Sequence, residues 1–116
     1  MFVKIVLSSN LEIGSIVSFS SADQTWNIAS SVTSPLGVVE SVAQDSETLQ
    51  WIGKVRFAGT AYALSDRAIA DEGGELAVIN GRCFVDNSTD HAGIIAPIPH
   101  GGSTRGANEL VMVHIR

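Results

Sequence analysis

Helical periodicity is nearly absent from this chain, and that absence constrains its fold more than any other feature. In its place stand short apolar or alternating runs rich in Val, Ile and aromatics, separated by Gly, Pro, Ser, Asn and Asp. FVKIVLS (2–8), SIVSFS (15–20) and TWNIA (25–29) come first, with Ile16, Val17 and Phe19 the apolar members of the second. LGVVESVAQD (36–45) follows Ser34-Pro35. LQWIGKVRFAG (49–59) alternates in its second half, with Val55 and Phe57 on one face and Lys54 and Arg56 on the other. TAYALSDRAIA (60–70) is the one stretch compatible with a helix, but a strand through Thr60 to Leu64 and an SDRA turn fit it as well, and that reading is preferred. DEGGE (71–75) reads as a turn and PHGGSTRGAN (99–108) as a long polar loop, with ELAVING, RCFVD, AGIIAPI and ELVMVHIR as further strands. About eight to ten short strands at this spacing predict an all-β fold. The expectation is a single small β-barrel or sandwich domain over 1–116 with little or no helix, in which 1–10 is a strand or an arm that contacts a partner.

A chain of 116 residues buries roughly two-thirds of its unfolded surface as one domain, and so needs no disulfide or metal to be stable. Hydrophobic residues make up 45% and charged residues 16%. The surface must therefore be covered largely by uncharged polar side chains, or by partners. A net charge of −5 with seven scattered Lys and Arg argues against nucleic acid, which demands a basic face. The single cysteine, Cys83, cannot form an intrachain disulfide. MFVKIVLSSN lacks the basic n-region and extended h-region of a signal peptide. No run approaches the roughly 20 apolar residues of a membrane span. These features lead us to expect a soluble protein made in a cytoplasm, with no membrane or nucleic-acid partner.

NGRCFVDNSTDHAG (80–93) gathers a thiol, carboxylates, hydroxyls and an imidazole, the ingredients of a nucleophilic or metal site. Cys83 stands between Arg82 and Phe84 in an apparent strand, where a buried or half-buried thiol is the simpler reading. Asn87-Ser88-Thr89 matches a glycosylation sequon and reads more simply as a turn. Asp86, Asp90 and His91 lack a second imidazole at ligand spacing, so no metal is expected. HGGS (100–103) has neither a GxSxG elbow nor a crossover helix beside it. GGSTRG lacks the ending of a phosphate loop and reads as surface loop. His114 alternates with Val113 and Ile115 on the last strand, facing solvent or an interface. We therefore expect no catalytic residue and no cofactor. The enzyme alternative is a small hydrolase using Cys83 or Ser103 with a histidine.

The order of GSIVSFSSADQTWNIAS, PLGVVESV, KVRFAGTAYAL, DEGGELAVINGRCFV, HAGIIAPI and ELVMVHIR resembles tailed-phage virion proteins. It is similar in particular to the small β-barrel cement, or decoration, proteins of phage heads. That resemblance implies a non-catalytic structural protein, made in the host cytoplasm and located in the virion. Its partners would be the outer face of the major capsid protein and itself, as a homotrimer. Where some decoration proteins use a long N-terminal arm, only Met1 to Asn10 is expected to play that part here. Phe2, Val3, Lys4 and Ile5 are the candidate capsid contacts, through strand augmentation or as an internal edge strand. Trp26, Trp51, Phe57 and Tyr62 are the candidate oligomer interface, with core as the competing placement. A β-domain of a tail fibre or spike that binds a host surface glycan is the runner-up.

Overall fold

Two doublets of branched residues, Ile16-Val17 and Val38-Val39, decide the architecture. Successive side chains of a strand point to opposite faces, yet all four are fully buried. The strands that carry them must therefore have a core on each side, the condition that makes a strand read as continuously apolar.

The computed structural model describes residues 2–22, 24–29, 36–68, 76–85, 95–97 and 106–115. They form ten strands and no helix: β1 (Phe2–Leu7), β2 (Ile16–Ser20), β3 (Thr25–Ile28), β4 (Leu36–Gln44), β5 (Trp51–Arg56), β6 (Gly59–Leu64), β7 (Leu76–Ile79), β8 (Arg82–Val85), β9 (Ile95–Pro97) and β10 (Leu110–Ile115). The first five close into a barrel in the order β1-β3-β2-β4-β5. A three-stranded sheet, β6-β10-β9, and the hairpin β7-β8 lie outside it. The all-β expectation holds, and β6 is a strand as the preferred reading of TAYAL had it.

Leu7, Val17, Val39 and Val55 fill the barrel, with Ile5, Leu11, Trp26, Val42, Trp51 and Phe57 half-buried around them. Ile16, Leu36 and Val38 turn the other way and meet Ala61, Ala63, Leu76, Val78, Cys83, Val111, Val113 and Ile115 in a second core. Each fully buried aliphatic side chain contributes about 1.5–3 kcal/mol, more than the roughly 1 kcal/mol span of strand propensities. Burial on both faces of β2 and β4 thus sets their register, which aligns Ile16 with Val38.

Backbone hydrogen bonds lock the outer elements to this wall. Ile16 N–H donates to Gly81 O at 2.8 Å, Gly81 N–H to Ala29 O at 2.7 Å, and Ala29 N–H to Ile16 O at 2.9 Å, a closed ring of three. The ring needs the tight Asn80-Gly81 turn between β7 and β8, in which both residues have positive φ, 49° and 74°, as a two-residue hairpin of the mirror-image type requires. Ser65 on the far side is buried, and its hydroxyl donates to the carbonyls of Gly106 and Glu109. That bond holds the segment leading into β10.

Two sequence expectations shift. Leu49 and Gln50 belong to the β4–β5 turn, and the strand starts at Trp51. The cause is Asp45: its N–H and C=O bond Gln50 O and Leu49 N, and its carboxylate accepts from the Thr48 N–H and hydroxyl at 2.8 and 2.7 Å. These bonds close a loop in which Leu49 takes φ 61°. The Phe2–Leu7 segment is also no free arm. It registers with β5 over six pairs, Phe2↔Arg56 to Leu7↔Trp51, and so forms part of the protein's own barrel.

Gly14 is the tie between the barrel and the outer sheet. Its N–H donates to Val39 O at 2.8 Å and its carbonyl accepts from Leu64 N–H at 2.9 Å, at φ 94°. A Cβ there would stand 2.5 Å from Leu110 Cδ2 and 3.2 Å from Leu64 N, and the backbone nitrogen cannot give way. Gly59 also has positive φ, 87°, but nothing lies within 4 Å of its Cβ position. Gly59→Ala should therefore cost only the backbone term, about 1–2 kcal/mol. Gly14→Ala should cost that plus a collision of about 1–3 kcal/mol. Urea unfolding of the two variants checks the difference, and equal midpoints would contradict it.

A candidate docking groove

The thiol of the 80–93 stretch comes first. Cys83 is fully buried in the second core, opposite Val78 in the β7–β8 hairpin. Its carbonyl accepts from Asp66 N–H at 2.8 Å. Burial pushes the thiol up to about 12, and the charge of Asp66 pushes in the same direction. A nucleophilic cysteine needs the opposite, a lowered value and access. Asp86, Asn87, Ser88, Thr89, Asp90 and His91 lie outside the described residues, as do His100 and Ser103. His114 is exposed, between Thr60 and Ala96 on the neighbouring strands. Among the described residues, no three His, Cys, Asp or Glu side chains gather as metal ligands.

The four aromatics named for an oligomer interface divide. Trp26, Trp51 and Phe57 are half-buried against the barrel core. Trp26 sits between Phe19 and Phe57, with ring centroids 5.5 and 4.9 Å away. These tilted and edge-on contacts stabilise the Phe19, Trp26 and Phe57 cluster beyond area alone. Tyr62 differs, being 56% exposed on the outer face of β6. Of the candidate capsid contacts, Lys4 is exposed and Ile5 is half-buried against the barrel core. Phe2 and Val3 are placed by backbone only, opposite Arg56 and Val55.

Tyr62 lines a shallow groove of about 210 Å³ together with Ile13, Val39, Glu40 and Leu110. Four elements meet there. Ile13 precedes Gly14, whose left-handed backbone carries the chain from the β1–β2 loop across β4 and β6. Leu110 opens β10 opposite Leu64, and Tyr62 lies opposite Met112 on the same sheet. Glu40 is the extra residue of a bulge in β4, where the register with β5 slips between Val39 and Ser41. Bulges re-aim side chains; this one turns Glu40 to accept from Arg56 Nε at 3.0 Å. Ile13 and Leu110, 55% and 45% exposed, make with Tyr62 an apolar rim that the fold itself leaves uncovered.

None of the groove residues except Tyr62 stands out in the sequence, because they come from four distant segments. The available signal is local: Ile13, Val39 and Leu110 each adjoin a glutamate, namely Glu12, Glu40 and Glu109. An apolar residue beside a charge in a strand or turn is common, and only the fold distinguishes these three.

The thiol yields a prediction. A pKa raised on folding from 9.0 to about 12 stabilises the fold below pH 9.0 and ceases to do so as pH rises toward 12. The fall in stability over that range should be shallower in Cys83→Ala than in the native protein. Ellman's reagent at pH 8 should label native protein only as fast as it unfolds. Immediate labelling of folded protein would contradict the buried placement.

Comparison with protein-family models, with curated proteins and with solved structures finds no match to this chain.

Proposed function

We propose that this protein is a structural component of a tailed-phage virion, a capsid cement protein that binds the outer face of the major capsid protein and stabilises the head. It is made in the host cytoplasm and acts as a homotrimer. The observation that carries the docking part of this reading is the exposed apolar rim of Ile13, Tyr62 and Leu110. Contiguous exposed apolar surface is a feature of partner-binding sites, and these three neighbouring side chains support a docking role on that ground. The resemblance of the strand order to decoration proteins is what suggests the major capsid protein as that partner.

Physical chemistry makes such a module workable. One groove of this size supports only a weak contact, worth a few kcal/mol when two or three side chains are covered. Linking three copies raises the effective concentration of the second and third contacts to the millimolar range. The hydrolase alternative loses one of its two nucleophiles, since the Cys83 thiol is sealed in the second core. The glycan-binding alternative keeps one point in its favour, the exposed ring of Tyr62 next to the Glu40 carboxylate.

Two measurements test the proposal. Quantitative gel densitometry of purified particles should find the protein in hundreds of copies per head. Tens of copies would favour the fibre or spike, and absence would refute both. Light scattering on the isolated protein at tens of micromolar should give three times the chain mass of 12.2 kDa. A monomer mass would defeat self-association in solution.

A further inference from the structure

We infer that Asn80 is a deamidation site held shut by the hydrogen-bond ring of Ile16, Ala29 and Gly81, so that its conversion to aspartate or isoaspartate follows the opening of the β7–β8 hairpin. The inference is independent of the virion role. Asn80-Gly81 is the only Asn-Gly step in the chain; the other asparagines precede Leu11, Ile28, Ser88 and Glu109. In such a step the glycine nitrogen attacks the asparagine Cγ. An N–Cγ bond forms, the bond from Cγ to the side-chain nitrogen breaks, and ammonia leaves with the amide proton. Water then opens the cyclic imide at either carbonyl, giving aspartate or, with the chain rerouted through the side chain, isoaspartate. A following glycine favours the attack because no Cβ shields its nitrogen.

The fold denies that nitrogen to Asn80. Asn80 itself is exposed, but Gly81 is buried. Its N–H donates to Ala29 O at 2.7 Å and its carbonyl accepts from Ile16 N–H at 2.8 Å. A Cβ at Gly81 would stand 3.1 Å from Ile28 Cβ, so the turn lies close against β3. Attack requires the nitrogen to give up its proton and swing toward Asn80, and both motions break the bond to Ala29. The hairpin must therefore open first. Imide formation is slow beside reclosure, so its rate tracks the open population. The products differ in what they allow afterwards. Aspartate keeps the backbone and suits the first position of the same turn. Isoaspartate adds a methylene to the chain between Ile79 and Arg82, which pair across the two-residue turn. With that extra atom Gly81 no longer reaches Ala29 and Ile16 together, and the cover over Cys83 is lost. A reversible opening becomes a permanent one.

Ageing the full chain at pH 8, folded or unfolded in urea, tests this, with peptide mass mapping to follow position 80. The folded chain should lose Asn80 at least about a hundredfold more slowly, equivalent to an opening free energy of about 2.8 kcal/mol. Loss at similar rates in both would overturn the inference. Amide exchange of Gly81 in the folded chain should be slowed by a similar factor. A freely exchanging Gly81 amide beside an intact Asn80 would show that the ring is not the gate. The chain carrying isoaspartate at position 80, returned to native buffer, should react at once with Ellman's reagent at Cys83, whereas Asn80→Asp should protect that thiol as the native protein does. Protection in the isoaspartyl chain, or immediate reaction of Asn80→Asp, would refute the proposed difference between the two products.

Discussion

The wall made by β2 and β4 is the constraint on which the remainder of the fold depends. Ile16 and Val38 face one core while Val17 and Val39 face the other, and all four are shut off from solvent. A five-stranded barrel of this size encloses few side chains; here four fully buried residues fill it and half-buried aromatics cap it. The second core is larger and forms only because the outer sheet and hairpin lean on the barrel's flank. Neither core is complete without the shared strands, so the barrel and its outer layer should unfold together.

The groove follows from that arrangement. To cover the flank of β4, the outer sheet must approach it closely, and Gly14 makes the approach by bonding β4 through its N–H and β6 through its carbonyl. The same crossing places Ile13 on the surface beside Tyr62 and Leu110. The bulge at Glu40 lies where β4 passes from a strand buried on both faces to one exposed on one side. Residues Leu36 to Val39 are all buried, whereas Ser41, Ala43 and Gln44 are exposed. The extra residue lets the strand twist away from the outer sheet at the point where that sheet ends. Its side chain becomes the polar wall of the groove.

Much of this fold was legible from residue order. The runs IVSFS, TWNI, LGVVESVAQ and LVMVHI appear as strands because their β-branched and aromatic content, bounded by turn formers, acts locally. The doublets Ile16-Val17 and Val38-Val39 break the polar alternation expected of a solvent-facing strand, and so carried the signal of two cores. Asn80-Gly81 also offers the signal of a two-residue hairpin, which reading ELAVING as one strand passes over. Leu49 misleads because an apolar side chain suggests a strand, whereas the bonds from Asp45 and Thr48 close the turn around it. Trp26, Trp51 and Phe57 could be read as either interface or core, since that distinction depends on barrel closure. The groove was not legible: Ile13, Glu40, Tyr62 and Leu110 meet only through long-range pairing.

Native-state hydrogen exchange on Ile16→Ala tests the shared wall most directly. Ile16 packs in the second core alone, so the substitution removes apolar contacts from that side and none from the barrel interior. If the wall makes both cores one unit, opening free energies of the slowest amides in β5 and β10 should fall together, by about 2–5 kcal/mol. Protection lost in β10 but unchanged in β5 would show that the barrel stands by itself, and would contradict the account.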